Sequence, residues 1–327
     1  MLDLVKEFPQ QLKEAIAIGQ KYTFSTPKKS FRNVLLTGLG GSGIGGSIVH
    51  NYVAGRLKIP FIVNKDYFLP AFVDSETLVI VSSYSGNTEE TIMAGELAEK
   101  AGATVINITS GGQVAENAKL KNQDLILIPS GFPPRACLGY SLVQVLFTLA
   151  HFDLLSDDFK TELESASEFL INQQKEIESE AMDLAKKIKD KLPVIYAETQ
   201  WDGVAVRFRQ QLNENGKILC WHHIIPEMNH NELVGWTEAD SNKIIILLRS
   251  NADFERNQMR MEINKKVFEK YTNNIVEIVA KGASYFEQAM YFIHLTDFAS
   301  VHLAQLRHFD ATEVKVIDFL KGELAKA

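Results

Sequence analysis

Two doubly wound α/β units in succession are the fold class this sequence predicts, on three observations. From residue 33 onward, short runs rich in Val and Ile alternate with segments of helical spacing, the pattern of a parallel sheet covered on both faces. The same theme resumes after Pro193, beyond a charged stretch nearly free of Gly and Pro. The length of 327 residues suits two domains of ~150 residues, each able to bury its own core.

In the first half, residues 33–39 are an apolar run ending in glycines and predict a strand, 44–53 a helix and 60–63 a short strand. Strands at 77–82, 104–108 and 124–128 and helices at 88–100 and 138–152 continue the series. Residues 156–191 are charged and amphipathic and predict helix with one or more breaks. The boundary falls near Leu155, giving units 1–155 and 156–327. In the second half the predicted strands are 194–197, 218–221, 243–248 and 274–279. The helices are 203–214, 254–269 and an apolar one at about 283–306. At the start, Asp3, Lys6 and Glu7 stand where a signal peptide needs an unbroken apolar core, so this segment reads as a surface helix.

Hydrophobic residues make up 46% and charged residues 23%, proportions that exclude a disordered, fibrous or disulfide-stapled chain. The 34 Lys and Arg against 41 Asp and Glu give a formal charge of −7, without a basic run to follow a phosphate backbone, so no nucleic-acid partner is expected. The longest apolar stretch, 142–152, falls short of the ~20 residues of a spanning helix, and no membrane segment is expected. Cys137 and Cys220 alone cannot build a disulfide framework and fit a reducing cytoplasm.

Two segments suit an anion. The first strand runs into Gly38-Leu-Gly-Gly-Ser-Gly-Ile-Gly-Gly46, where the backbone around Gly41 and Ser42 can approach a ligand and a helix presents its positive end. Gly38, Gly40 and Gly43 also match the dinucleotide pattern G-x-G-x-x-G, with Asp66 roughly where a ribose-binding acid falls. The plain alternative is glycines that only permit tight strand-to-helix packing. The second segment, Ser82-Ser-Tyr-Ser-Gly-Asn-Thr-Glu-Glu90, gathers the hydroxyls of Ser82, Ser83, Ser85 and Thr88 at one helix N-terminus, a setting for phosphate. Capping by Thr88 or Asn87 explains one or two of these residues, not all.

Ser82 to Thr91 resembles the phosphate loop of the sugar isomerase (SIS) domain. Gly38 to Gly46 resembles the glycine loop before it in the bifunctional phosphoglucose/phosphomannose isomerases. Pro133-Pro-Arg-Ala-Cys-Leu-Gly-Tyr140, Asn213-Glu-Asn-Gly-Lys217, Pro226-Glu-Met-Asn-His-Asn-Glu232 and Val314-Lys-Val-Ile-Asp318 are similar to that family's blocks, in the same order. The resemblance implies two SIS subdomains, each a flavodoxin-like parallel sheet between helices, and a homodimer with its active site at the subunit interface. Gly43, Ser47 and Gly216 depart from the family, which more often has Ala, Asp and Ala there. These departures bear on fine specificity and leave the proposed reacting groups in place.

Aldose–ketose interconversion of a hexose 6-phosphate runs by metal-assisted hydride shift or by proton transfer through an enediol. His222 and His223 are adjacent on a predicted strand and point to opposite faces, so they cannot share an ion, and neither metal nor other cofactor is expected. The proton route needs a base, a group to open the ring and a cation for the enediolate. Glu214 ends a helix closed by Asn215-Gly216, where the dipole disfavours its charge. His230 lies in Asn229-His-Asn-Glu232, which reads as a capping-box start with the imidazole at the first helical position. Arg135 follows two prolines that stiffen its loop. By resemblance Glu214 is the catalytic base, His230 the ring-opening group, Arg135 the enediolate partner and Lys315 a support for ring opening. Gly41, Ser42, Ser83, Ser85 and Thr88 would hold the phosphate. Two rivals are a non-catalytic sugar-phosphate sensor, which needs no base, and a Rossmann oxidoreductase, which would be indifferent to loss of Ser83 and Ser85.

Overall fold

Two helices, α1 (Leu2–Lys6) and α2 (Phe8–Lys21), precede the first strand in the computed structural model, which describes residues 1–324 and residue 326. The first winding follows as β1 (Asn33–Thr37), α3 (Gly40–Val53), β2 (Phe61–Asn64), β3 (Thr77–Ser83), α4 (Glu89–Lys100), β4 (Thr104–Thr109), α5 (Gly112–Leu120), β5 (Asp124–Leu127) and α6 (Leu138–His151). Its strands are all parallel, in the order β2-β1-β3-β4-β5. Then α7 (Asp158–Ile188) leads to β6 (Leu192–Glu198), α8 (Asp202–Glu214), β7 (Trp221–Ile225), β8 (Lys243–Arg249), α9 (Glu255–Phe268) and β9 (Ile275–Val279). These strands form a second parallel sheet, β7-β6-β8-β9. Helices α10 (Tyr285–Leu306) and α11 (Lys315–Leu324) follow.

Strand periodicity divides each sheet between two cores. In the first, Leu35, Val79, Val81 and Val105 face an outer core with Ala98 of α4 and Val114 of α5, while Val34, Leu36, Ile80 and Ile106 face inward. In the second, Tyr196, Ile245 and Leu247 meet Met261 and Phe268 of α9, while Ile195, Ile246 and Leu248 face inward. The two inward faces share one continuous core with residues of α2, α3, α6, α7, α8 and α10. A helical layer thus lies between the sheets, and it carries α3 and α8 side by side. A Cβ at Gly203 would come within 2.8 Å of the Ile48 amide nitrogen, and Gly203 N donates to Asn51 Oδ1 at 2.8 Å. Among the described residues, no helix is long and apolar enough to cross a membrane.

Three expectations are corrected. The charged stretch 156–191 is not broken: α7 is one helix of 31 residues, because Phe159, Leu163, Ala166, Leu170, Ile177, Ala181, Leu184 and Ile188 keep a single buried stripe along it. The strand predicted at 218–221 lies at Trp221–Ile225, where edge position leaves most of its residues half-buried and blurs the apolar signal. The glycines after β1 form no loop of their own, since α3 begins at Gly40.

At the C-terminal ends of the paired strands β6 and β8 lie two buried carboxylates, Glu198 and Asp253, with 6% and 4% of their surface exposed. Gln200 Nε2 donates to both, at 2.8 and 3.1 Å. Burial, and to a smaller extent Glu198, push the Asp253 carboxyl up to about 6, against the pull of the Ser250 amide and the Trp201 indole. The folded protein therefore keeps a proton that the unfolded chain releases above its ordinary value of 3.8, and stability falls as pH rises from there through about 6. Asp253→Asn removes this loss. Relative to the parent, its stability is expected to rise across that window and then level off, a gain on the order of 2–3 kcal/mol over the difference found at lower pH. Urea unfolding of both proteins at several pH values checks this, and a difference independent of pH would refute it.

Candidate active site

β3 is buried along its whole length, so Ser82 and Ser83 emerge at the C-terminal edge of a central strand. The chain turns at Gly86, whose φ of +69° and lack of Cβ are both required: a Cβ there would lie 1.8 Å from the Gly111 oxygen. Ser83 Oγ donates to Thr88 Oγ1 at 3.1 Å and accepts from Gly86 N at 3.2 Å. Ser85 Oγ accepts from Asn87 N at 3.2 Å. Thr88 holds the N-cap position of α4, yet its side chain makes no capping bond. Its hydroxyl is turned to Ser83, and the amides of the first turn of α4 remain open to an anion. Of the hydroxyls in this loop, Ser82 Oγ is buried without a partner.

The start of α3 abuts this loop. Ser42 Oγ accepts from Tyr84 N at 2.9 Å, so the glycine-rich turn is fastened to the hydroxyl loop. A Cβ at Gly43 would fall 2.2 Å from the Gly38 oxygen, and one at Gly41 2.7 Å from the Pro134 oxygen. The glycines therefore serve close packing. At Gly41 that packing brings the loop of Arg135 against the helix start. Asp66, the residue placed for a ribose, is exposed, and its carboxylate accepts from its neighbour Tyr67 N.

Arg135 sits in the 3-10 turn Pro134–Ala136 and is only 5% exposed. Its Nη1 lies 3.6 Å from Glu214 Oε2. Glu214 ends α8, as the sequence predicts. The helix closes differently from the expected Asn-Gly stop: the left-handed residue is Lys217, with φ +56°, while Gly216 is needed because a Cβ would meet the Leu212 oxygen at 2.8 Å. Lys217 Nζ donates to the Glu214 carbonyl at 2.6 Å and to the Glu313 carbonyl. Burial lowers the Lys217 ammonium from its ordinary value, and Glu313 raises it. The hydroxyl loop is thus tied to the start of α3, the start of α3 packs on the loop of Arg135, and Arg135 faces Glu214.

His230 and Lys315 stand apart. His230 is the exposed last residue of the 3-10 turn Glu227–His230, not the first position of a helix. The expected capping box fails because its members have other partners: Asn229 Nδ2 donates to Asn264 Oδ1 at 2.7 Å, and Glu232 accepts from Tyr196, Trp221 and His223. Lys315 begins α11, a helix with no buried residue. Among the described residues, no hydrogen bond or ion pair joins either side chain to Glu214 or Arg135. His222 approaches Asp202 at 3.6 Å and His223 meets Glu232 at 2.7 Å, on separate faces of β7. Among the described residues, no group of three or more His, Cys, Asp or Glu is placed to hold a metal ion. A cavity of about 440 Å³ lies elsewhere, between Trp221, Trp236 and Lys243, and none of the predicted site residues lines it.

The sequence reading missed Arg207, Asn215 and Asp297. Arg207 donates to the Arg135 carbonyl at 3.0 Å and to Asp297 at 2.5 Å, and Asn215 Oδ1 accepts from Arg135 Nε at 2.7 Å. The only signal was an acid, Asp297, in the middle of an apolar helix, a position that demands a buried partner.

Two parallel sheets around shared helices, with a hydroxyl loop after a central strand, define a protein of the SIS class. The C-terminal domain of glucosamine-fructose-6-phosphate aminotransferase from Francisella tularensis superposes with a TM-score of 0.76 at 15% identity, covering 96% of this chain and 98% of that one. Residues 177–324 match the family described as bacterial phospho-glucose isomerase C-terminal SIS domain. The bifunctional phosphoglucose/phosphomannose isomerase of Caldicellulosiruptor bescii is 38% identical over all of this chain and 99% of its own length. That of Aquifex aeolicus is also 38% identical, over 90% of this chain and 91% of its own. The chain belongs to the bifunctional phosphoglucose/phosphomannose isomerase family.

Proposed function

We propose that this protein interconverts glucose 6-phosphate, and mannose 6-phosphate, with fructose 6-phosphate by metal-free proton transfer through a cis-enediol. The observation that carries the reading is the Glu214 carboxylate facing the Arg135 guanidinium at 3.6 Å, beside a hydroxyl loop at a helix N-terminus. Gly41, Ser42, Ser83, Ser85 and Thr88 hold the phosphate. The Glu214 carboxylate takes the proton from C2 of the open-chain aldose and returns it to C1, while the proton of the C2 hydroxyl passes to the C1 oxygen and the carbonyl moves from C1 to C2. Arg135 offsets the charge that develops on the enediolate oxygens. C2 is trigonal in the enediol, so both epimers reach the same intermediate. His230 and Lys315 assist ring opening. A sensor would have no use for the Glu214–Arg135 pair, and an oxidoreductase none for the hydroxyl loop.

His230 and Lys315 are exposed, and Val316, Phe319 and Leu320 on α11 are exposed apolar residues. Both features support a homodimer in which a second copy completes the site at the subunit interface. We place the division between the two SIS subdomains near Leu155, and the enzyme in the cytoplasm, serving glycolysis and gluconeogenesis.

A coupled assay with each hexose 6-phosphate, run with chelator in deuterated water, tests this. Deuterium is expected at C2 of recovered aldose. Its absence despite ample conversion, or abolition of turnover by chelator, overturns the mechanism. In the same assay Ser83→Ala/Ser85→Ala is expected to raise KM about tenfold or more with a smaller change in kcat, since the phosphate is remote from the reacting carbons and its binding is largely uniform.

A further inference from the structure

The Arg135 guanidinium is held on two of its three edges by its own chain. Nη2 donates to the Ala311 and Thr312 carbonyls at 2.6 and 3.1 Å, and Nε donates to Asn215 Oδ1 at 2.7 Å. A planar guanidinium fixed along two edges has a fixed plane, so only its Nη1 edge is left to face Glu214. Asn215 is fully buried, and its amide has one possible orientation here. Arg135 Nε can only donate, so Oδ1 must face it, while Nδ2 donates to Ser300 Oγ at 3.0 Å. Ser300 Oγ in turn donates to the Asp297 carbonyl at 2.7 Å, which anchors the amide in α10.

We propose that Asn215 is a positioning residue for the isomerisation: it aims the free edge of Arg135 at Glu214 and the reacting carbons, and it does so as a neutral acceptor. An Asp in its place would satisfy the same Nε–H but would set a second carboxylate against the guanidinium and next to the base. The neutral amide leaves the full positive charge of Arg135 available to Glu214 and to the enediolate. The other charged groups around this point are Lys217, Asp310 and Glu313, the Arg207–Asp297 pair on the Arg135 carbonyl, and Arg307 on the Gly216 and Lys217 carbonyls. None of them makes a hydrogen bond to Nε of Arg135 among the described residues.

The inference rests on the isomerase reading, and the test separates the two. Asn215→Asp, which keeps the shape, is expected to move the acid limb of the kcat–pH profile to higher pH by about one unit, because the added charge disfavours the ionised base. Asn215→Leu is expected to lower kcat about tenfold or more with less than a threefold change in KM, because the phosphate loop is untouched. The Asp variant decides the matter whatever the Leu variant does. An acid limb unmoved or lowered, or a folded Asp variant with no turnover at any pH, overturns the positioning role. Glu214→Gln, assayed alongside, fails independently: if it turns over like the parent, the reading of the site is wrong rather than the role of Asn215.

Discussion

Glu214→Gln is expected to lower kcat by roughly 10²- to 10⁴-fold, the usual effect of removing a positioned general base. The amide has nearly the same shape as the carboxylate and can still lie against its neighbours, so the loss reports chemistry rather than packing. Glu214 is half-buried at the end of α8, with its carbonyl tied to Lys217 and its side chain facing Arg135. KM is expected to stay within a few-fold, because Ser83, Ser85 and Thr88 are on another element and unaffected. Deuterium incorporation at C2 is expected to fall in step with turnover, since both require the same proton abstraction. Turnover within threefold of the parent would remove Glu214 from the mechanism. Loss of turnover with undiminished exchange at C2 would instead confine it to a later step.

The winding of both sheets was legible because their central strands, β1, β3, β4, β6 and β8, are buried on both faces and most read as short Val- and Ile-rich runs. β3, with seven buried residues in succession, is the clearest case. The edge strand β7 was misplaced because Trp221, His222, His223 and Ile224 are all half-buried, so no apolar run marks it. The hydroxyl loop was legible because local sequence places all its hydroxyls. His230 was not, because local capping chemistry competes with distant partners. Tyr196, Trp221 and His223 draw Glu232 into the sheet, and Asn264 draws Asn229 toward α9. The support of Arg135 was hidden for the same reason: Arg207, Asn215 and Ala311 meet it from 72 to 176 positions away in the chain, with Asp297 behind Arg207, and no spacing rule joins them.

The largest expected effect on stability belongs to Asp297→Ala. Asp297 and Arg207 are 4% and 3% exposed, their charges meet at 2.5 Å, and Gln211 Nε2 donates to the other carboxylate oxygen at 3.0 Å. Burial pushes the Asp297 carboxyl up, and Arg207 and Gln211 pull it back down. Removing the carboxylate strands a guanidinium in the helical layer between the sheets, at a cost of ~3–5 kcal/mol, or roughly 10 °C in melting temperature for a chain of this size. The double variant Arg207→Met/Asp297→Leu fills the space without a charge and is expected to regain most of that loss, because a buried pair is worth little net of its desolvation. It does not regain the hydrogen bond from Arg207 to the Arg135 carbonyl. The two variants therefore separate fold from function: thermal unfolding is expected to recover in the double variant while kcat stays several-fold below the parent. Recovery of both would show that the pair serves the core alone. Recovery of neither would show that α8 and α10 need the charges themselves to dock, and that the loop of Arg135 takes its place only after they have done so.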